Sequence, residues 1–227
     1  MIIITGVSGG IGNYLFNQYL EKGEELIGTY HLNKPDGELF SDTLQLDVTN
    51  VEEIQDFVKR IAGRLDKITL INCAGITYNS FAHTADLPSW KKVIDVNLNG
   101  TFYMMNALLP FMRKQEFGRI INLSSIVGQM GVMGTSAYAA SKAGINGMIK
   151  SIALENAQKN VTVNNINLGY FKVGMIQEVP KELQENIKSK IGVKEFGSPE
   201  HILNTIEYIR STDYLTGACL DLNGGLV

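Results

Sequence analysis

Along the chain, short runs that are apolar at nearly every position alternate with longer segments whose apolar residues recur every three to four positions. The short runs fall at 2–4, 26–29, 43–46, 68–71, 119–123, 161–166 and 218–221. Continuous apolar character, rather than alternation, marks strands covered on both faces. The longer segments predict helices at about 11–22, 51–61, 89–113 and 139–158, with a last one starting at Pro199. Gly23 ends the first, Thr49-Asn50 caps the second, and Ser198 caps the last with proline in the first helical position. Strands that alternate with helices pair in parallel through right-handed crossovers. The expected architecture is α/β: one doubly wound domain over residues 1–227, with seven parallel strands and no repeat or linker. One connection is short. Residues 31–42, which include Pro35 and Gly37, lie near the minimum for a crossover, so a loop or one helical turn is expected there.

Composition narrows the function. At 227 residues, a single domain buries about three-quarters of the surface its unfolded chain exposes, and needs neither disulfide nor metal to fold. Twenty basic and 23 acidic residues give a net charge of −3, which argues against nucleic acid as a partner. No apolar stretch approaches about 18 residues, so no membrane partner is expected. The opening Met1-Ile2-Ile3-Ile4-Thr5-Gly6 has no basic lead, and a cytoplasmic chain is the expectation. Cys73 and Cys219 sit in apolar, strand-like runs and read as small core residues rather than a disulfide. His31, His83 and His201 are scattered and pair with no cysteine at ligand spacing, so no metal site is expected.

Glycine is in excess, at 23 residues, and four of them fall in one turn. Thr5-Gly6-Val7-Ser8-Gly9-Gly10-Ile11-Gly12 follows the first strand directly and opens the first helix. Glycine lets the backbone approach a pyrophosphate, and the unpaired N–H groups and dipole of a helix start favour an anion. A plain strand-to-helix turn would also use glycine, but this context is the one a dinucleotide site requires. Gly6, Ser8, Gly9, Gly10, Ile11 and Gly12 are therefore candidate cofactor contacts.

A second constellation lies at 138–142, where Tyr138 and Lys142 stand four apart at the start of a helix and share a face. A phenol near pKa 10 is a poor acid or base at neutral pH, and a neighbouring ammonium lowers that value. A proton donor and acceptor tuned in this way is what carbonyl reduction needs. Ser125, thirteen residues before Tyr138, falls just past the fifth expected strand, where its hydroxyl could hold a substrate oxygen. Ser124 competes for that role, and Asn97 lies inside the long helix at 89–113.

The spacing Gly-x-x-x-Gly-x-Gly after a threonine, with Tyr-x-x-x-Lys downstream, resembles the short-chain dehydrogenase/reductase family, whose fold is Rossmann-type. The likeness runs from Ile2 to Gly225 and is closest in type to 3-oxoacyl-acyl-carrier-protein reductases. It favours Ser125 over Ser124, and it implies that Asn97 serves a proton relay. It matches Asn72-Cys73-Ala74-Gly75 to a segment bordering the adenosine ribose, with cysteine replacing a second asparagine. It matches Asp47-Val48 to an adenine contact, and Tyr214-Leu215-Thr216-Gly217 and Asp221-Leu222-Asn223-Gly224-Gly225 to the closing pattern. The implied mechanism is hydride transfer between a nicotinamide and a carbonyl or secondary alcohol. Ser125 bonds the oxygen and Tyr138 moves the proton. Lys142 lowers the tyrosine pKa and holds the nicotinamide ribose.

Three departures qualify the likeness. Tyr30, followed by His31, stands where the family places an acid that selects NAD, which favours NADP(H) and leaves NAD(H) open. The basic residue many NADP enzymes carry in the glycine turn is replaced by Gly9. In Asn167-Leu168-Gly169-Tyr170-Phe171-Lys172-Val173, leucine and valine replace the usual proline and threonine. Contacts to the nicotinamide then fall to Gly169, Phe171 and Val173. The two basic residues that flank the site and dock an acidic carrier protein correspond to Glu116 and Lys159, so the substrate is either free or carrier-bound. Residues 173–203 are expected to form a charged, mobile lid, too small for the substrate domain of a nucleotide-sugar epimerase. Ala143, Gly144 and Gly147 suit helix pairing in a homotetramer or homodimer. The rival reading is a non-catalytic dinucleotide sensor on the same fold.

Overall fold

The computed structural model describes residues 1–34 and 42–226. Seven parallel strands form one sheet: β1 (Ile2–Thr5), β2 (Leu26–Tyr30), β3 (Thr43–Gln45), β4 (Thr69–Asn72), β5 (Gly118–Ser125), β6 (Val161–Leu168) and β7 (Cys219–Leu222). Their order is β3-β2-β1-β4-β5-β6-β7. The chain therefore builds outward from β1 to β3, then returns to the other side of β1 and builds outward again. Most of the short crossover at 31–42 lies outside the described residues.

Strand side chains alternate between two buried faces, as expected for a sheet covered on both sides. Ile3, Ile27, Leu70 and Ile120 pack with α2 (Val51–Ile61), α4 (Gly100–Gln115) and α5 (Ser136–Asn156). Ile2, Ile4, Ile71 and Ile121 pack with α1 (Gly10–Glu21) and α7 (Pro199–Ser211). Asn50 caps α2 by accepting from the Glu53 N–H at 3.2 Å, and Ser198 caps α7 with Pro199 behind it. No described helix is long and apolar enough to cross a membrane.

Three expectations are corrected. The helix expected at 89–113 begins earlier and is broken: α3 (Leu87–Ile94) passes through a π-helical turn (Asp95–Asn99) into α4. Asp86 causes the earlier start, capping α3 by accepting from Ser89 N–H at 2.9 Å. Second, β5 does not stop before Ser125 but ends on it, because β6 is long enough to pair with it to the last residue. Third, the lid cannot reach residue 203. Ile202 and Leu203 on α7 belong to the sheet's own core. What precedes α7 carries α6 (Lys181–Lys190) and a small separate cluster of Ile176, Ile191 and Phe196.

Packing between α1 and β2 leaves no room for a side chain at Gly28. A Cβ at Gly28 would lie 2.7 Å from the Phe16 ring and 2.9 Å from Val7 Cγ1. Both neighbours are fully buried, so neither can swing away into solvent. Gly28→Ala is therefore expected to destabilise the protein by about 1–3 kcal/mol, the usual range for an overpacked core. A denaturant midpoint equal to the parent's would show that the ring yields freely.

Candidate active site

The sheet's carboxyl edge parts where β1 and β4 lie side by side, since their following segments leave in opposite directions. Such a switch point is where doubly wound sheets leave a crevice. Here the crevice is a cavity of about 1140 Å³. Its two sides are tied at the root by Thr5, whose Oγ1 accepts from the N–H groups of Cys73 and Ala74, both at 3.1 Å. Gly6 follows with φ +72°, and a Cβ there would lie 2.7 Å from Ala74 Cα. Only glycine meets both conditions.

Gly6, Ser8, Gly9, Gly10, Ile11 and Gly12 all line the cavity. Gly9 offers no side-chain cap to α1, and the first turn of α1 holds no acidic residue. The first N–H groups of a helix have no intrahelical acceptor, so this end presents donors and positive potential to the cavity. That donor set fits a pyrophosphate.

Tyr30, His31, Asp47 and Val48 also stand in the lining, at the carboxyl ends of β2 and β3. His31 Nε2 lies 3.4 Å from Asp47 Oδ2. Burial pulls the Asp47 carboxyl upward, but hydrogen bonds from the Thr49 N–H and hydroxyl, with His31 and Lys92 nearby, hold it below the usual carboxylate range. Ala74 and Gly75 line the cavity as expected, whereas Asn72 does not. Its side chain turns along the sheet and donates to Asn122 at 2.8 Å.

Ser125, Tyr138 and Lys142 meet at the cavity's other end. Ser125 Oγ accepts from Val127 N–H at 3.2 Å and lies within hydrogen-bonding reach of the Tyr138 phenol. Ser124 points elsewhere, its hydroxyl donating to the Lys142 carbonyl at 3.3 Å. Lys142 Nζ donates to the Leu123 carbonyl at 2.7 Å and lies 5.5 Å from the centre of the Tyr138 ring. Contrary to expectation, the phenol here is not lowered. Burial pushes it up to about 12, against the opposing pull of Ser125. Burial also pushes the Lys142 ammonium down to about 8. Desolvation is the largest cause of both shifts.

Asn97 is fully buried and does not reach the cavity. Its Oδ1 accepts from Ile76 N–H at 2.8 Å, and its Nδ2 donates to Ile76 O at 2.9 Å and Ser141 Oγ at 3.2 Å. The amide thus splices the segment after β4 to α5, with both Nδ2 protons engaged and one bond accepted at Oδ1. The π-turn supplies its placement, an inserted residue of the kind that recurs at functional sites.

Gly169, Phe171 and Val173 complete the lining beyond β6. Cys73, Tyr170, Ile176, Lys91 and Lys92 also line it and were not expected. Cys73 stands just past β4 rather than within a strand, and burial pushes its thiol up to about 12. Its one sequence signal was the departure from asparagine. Both cysteines are free thiols. Among the described residues no cluster of His, Cys, Asp or Glu could hold a metal. Glu116 and Lys159 do not flank the site. They form a 2.9 Å ion pair at the amino ends of β5 and β6, a strand's length, on the order of 25 Å, from Ser125.

Comparison with known proteins agrees with this geometry. Residues 1–184 match the short chain dehydrogenase family. The 3-oxoacyl-[acyl-carrier-protein] reductase of Thermotoga maritima is 34% identical over 239 residues, covering 99% of this chain and 96% of the relative. The acetoacetyl-CoA reductase of Rhizobium meliloti is 35% identical over 232 residues, covering 98% and 96%. The ligand-free aldohexose dehydrogenase of Thermoplasma acidophilum shares the fold, with a TM-score of 0.90 at 24% identity over 99% of this chain and 93% of that one. With its sheet order, its glycine turn and relatives of this identity along nearly its whole length, the chain belongs to the short chain dehydrogenase family of oxidoreductases.

Proposed function

We propose that this protein interconverts a carbonyl and a secondary alcohol with a nicotinamide dinucleotide, using Tyr138 as general acid and base. The observation that carries the reading is the convergence of Ser125, Tyr138 and Lys142 on one end of the cavity whose other end is the uncapped start of α1. The cofactor, when bound, supplies the hydride chemistry. The first N–H groups of α1 would hold its pyrophosphate, and Asp47, Val48 and Ala74 would border its adenosine. In the reducing direction the Tyr138 hydroxyl gives its proton to the carbonyl oxygen while the Ser125 hydroxyl hydrogen-bonds that oxygen. Lys142 stabilises the phenolate left behind.

The finer choices follow from the lining. Tyr30 brings no carboxylate to repel a 2′-phosphate, and Lys92 adds a cation on the opposite wall, which favours NADP(H) over NAD(H). Near Ser125 the walls are Val127, Val132, Tyr170 and Ile176, which suit a neutral acyl chain. Two relatives are named for 3-oxoacyl and acetoacetyl thioesters. A 3-oxoacyl thioester is thus the substrate class we favour. The Glu116–Lys159 pair is neutral overall, so it offers an acidic carrier protein no attraction. Residues 174–197 would cover the acyl chain. The assembly we favour is a homo-oligomer. Gly147 on α5 meets nothing within 4 Å, and Leu154 on the same helix is 83% exposed.

Four outcomes are expected. Wild-type protein should oxidise NADPH faster than NADH with acetoacetyl-CoA or a simple ketone. Tyr138→Phe should then lower kcat by about 10²–10⁴-fold, the usual yield of general acid catalysis, with NADPH affinity within a factor of about three. Near-normal turnover in that variant would remove Tyr138 from its role, and a sensor would show binding without turnover in the wild type. Lys142→Met should raise thermal stability as it abolishes activity. An unfolded lysine titrates near 10.4 and this one near 8, so the folded state binds fewer protons between those values and gains stability as pH rises through them. Below 8 the cost of burying the ammonium is fully present. At pH 7 the methionine variant should therefore melt at least about 3 °C higher, the gain fading towards pH 10, and an unchanged Tm would refute the buried charge. Light scattering should give a dimer or tetramer, and a mass of 25.0 kDa would exclude the assembly.

A further inference from the structure

A row of side-chain amides crosses the core beneath the site. Asn72 Nδ2 on β4 donates to Asn122 Oδ1 on β5 at 2.8 Å. Asn122 donates to Asn165 on β6 at 2.9 Å, and Asn165 donates to Asn146 on α5 at 2.8 Å. The three strand positions are level in register, Asn72 with Asn122 and Asn122 with Asn165. All three are at least nineteen-twentieths buried. A buried amide is costly unless bonded, and bonds aligned in one direction polarise and strengthen one another. The row therefore holds its members to one geometry.

Its far end lies on the helix that carries Tyr138 and Lys142. Asn146 follows Lys142 by four residues, so the two share a face one turn apart. Lys142 has its own anchors on β5, through Ser124 at its carbonyl and Leu123 at its ammonium. The helix is thus pinned to β5 at Lys142 and to β6 one turn later. A single roll of α5 about its axis satisfies both anchors. We propose that Asn146, held through Asn165 by the row that begins at Asn72, is a positioning residue that fixes the roll of α5 and with it the placement of Tyr138 and Lys142 against the end of β5. Its meaning for turnover rests on the function proposed above, but the placement of Lys142 can be read without it. The titratable groups that face Lys142 are Tyr138 and Cys73, and neither is substituted in the variants below.

The test compares Asn146→Leu, Asn165→Val and the double variant, in full-length protein. Three quantities are measured: Tm, the kcat and KM of NADPH-dependent reduction, and the titration of Lys142 followed by NMR of ¹³Cε-labelled lysine. The Lys142 signal is identified by its loss in Lys142→Arg. Each single variant should lower kcat about ten-fold with KM for NADPH nearly unchanged, since misplacement on the order of 1 Å costs up to about 10²-fold. Each should also move the Lys142 midpoint. The double variant should be no worse than the poorer single one, because both break the same bond. A lowered Tm with wild-type kcat and an unmoved Lys142 midpoint would reduce the row to a structural role and overturn the proposal. Additive losses in the double variant would also overturn it. If Asn165→Val fails to fold, Asn146→Leu decides alone, because position 146 is only half-buried and Asn165 Nδ2 keeps Cys219 Sγ at 3.8 Å. If the wild type reduces no carbonyl, the proposed function fails, and the Lys142 midpoint still decides the positioning.

Discussion

The close approach of β1's exit to β4's exit is the constraint on which the site depends. Two N–H groups from the β4 side share one threonine oxygen, and Gly6 stands against Ala74 with no room for a Cβ. Because the strands are held together at their roots, the segments beyond them must diverge. One becomes the glycine turn and α1. The other becomes the wall carrying Cys73, Ala74 and Gly75. The cavity is the space this divergence leaves, so it follows from strand order rather than from loops shaped for the purpose. Gly10 repeats the theme across the opening, where a Cβ would lie 2.6 Å from the Gly174 backbone. Main chain thus meets main chain where the glycine turn faces the segment after β6.

The other end of the cavity is governed by desolvation. Tyr138 and Lys142 are each driven towards their neutral forms by burial, in opposite directions along the pH scale. Neither shift stabilises the folded chain at neutral pH. The lysine's works against it, as happens where a charge is buried for function. The fold carries this load because its strain is local. Around the pair, Leu123, Ser124 and Ser125 end a strand that is buried along its whole length and paired with β6 to its last residue. A catalytic group set on such an element moves less than one set on a loop.

The fold was legible because its signals are local and repeated. Short runs rich in apolar residues marked the strands, and caps such as Asn50 and Ser198 gave helix starts. The glycine turn and the Tyr138–Lys142 spacing were legible for the same reason: each is a short pattern in a fixed context. What escaped depends on partners distant in sequence. The π-turn at Asp95–Asn99 has no local mark, and Asn97 takes its role from Ile76 and Ser141. The phenol's high pKa comes from burial that no neighbour in sequence reveals. Glu116 and Lys159 were matched to basic residues that flank a site, yet both precede their strands, and a parallel sheet puts strand starts at the edge away from it.

The departures after β6 show how a changed sequence can keep the architecture. A proline at position 168 would remove an N–H from the sheet. Leucine keeps it, and β6 runs to that residue, in register with Ser125 on one side and Leu222 on the other. Gly169 N–H then bonds Leu222 O at 2.9 Å, extending the pairing one step further. Gly169 also packs against Asn223, where a Cβ would lie 2.8 Å from its Cα, so the chain must turn there and not earlier. The Leu168 carbonyl accepts a hydrogen bond from the Ser125 hydroxyl at 3.4 Å. The serine is thereby held from two sides, by Val127 N–H as donor and Leu168 O as acceptor. Leucine at 168 thus keeps β6 paired on both sides to its last residue, and the carbonyl of that residue holds the Ser125 hydroxyl.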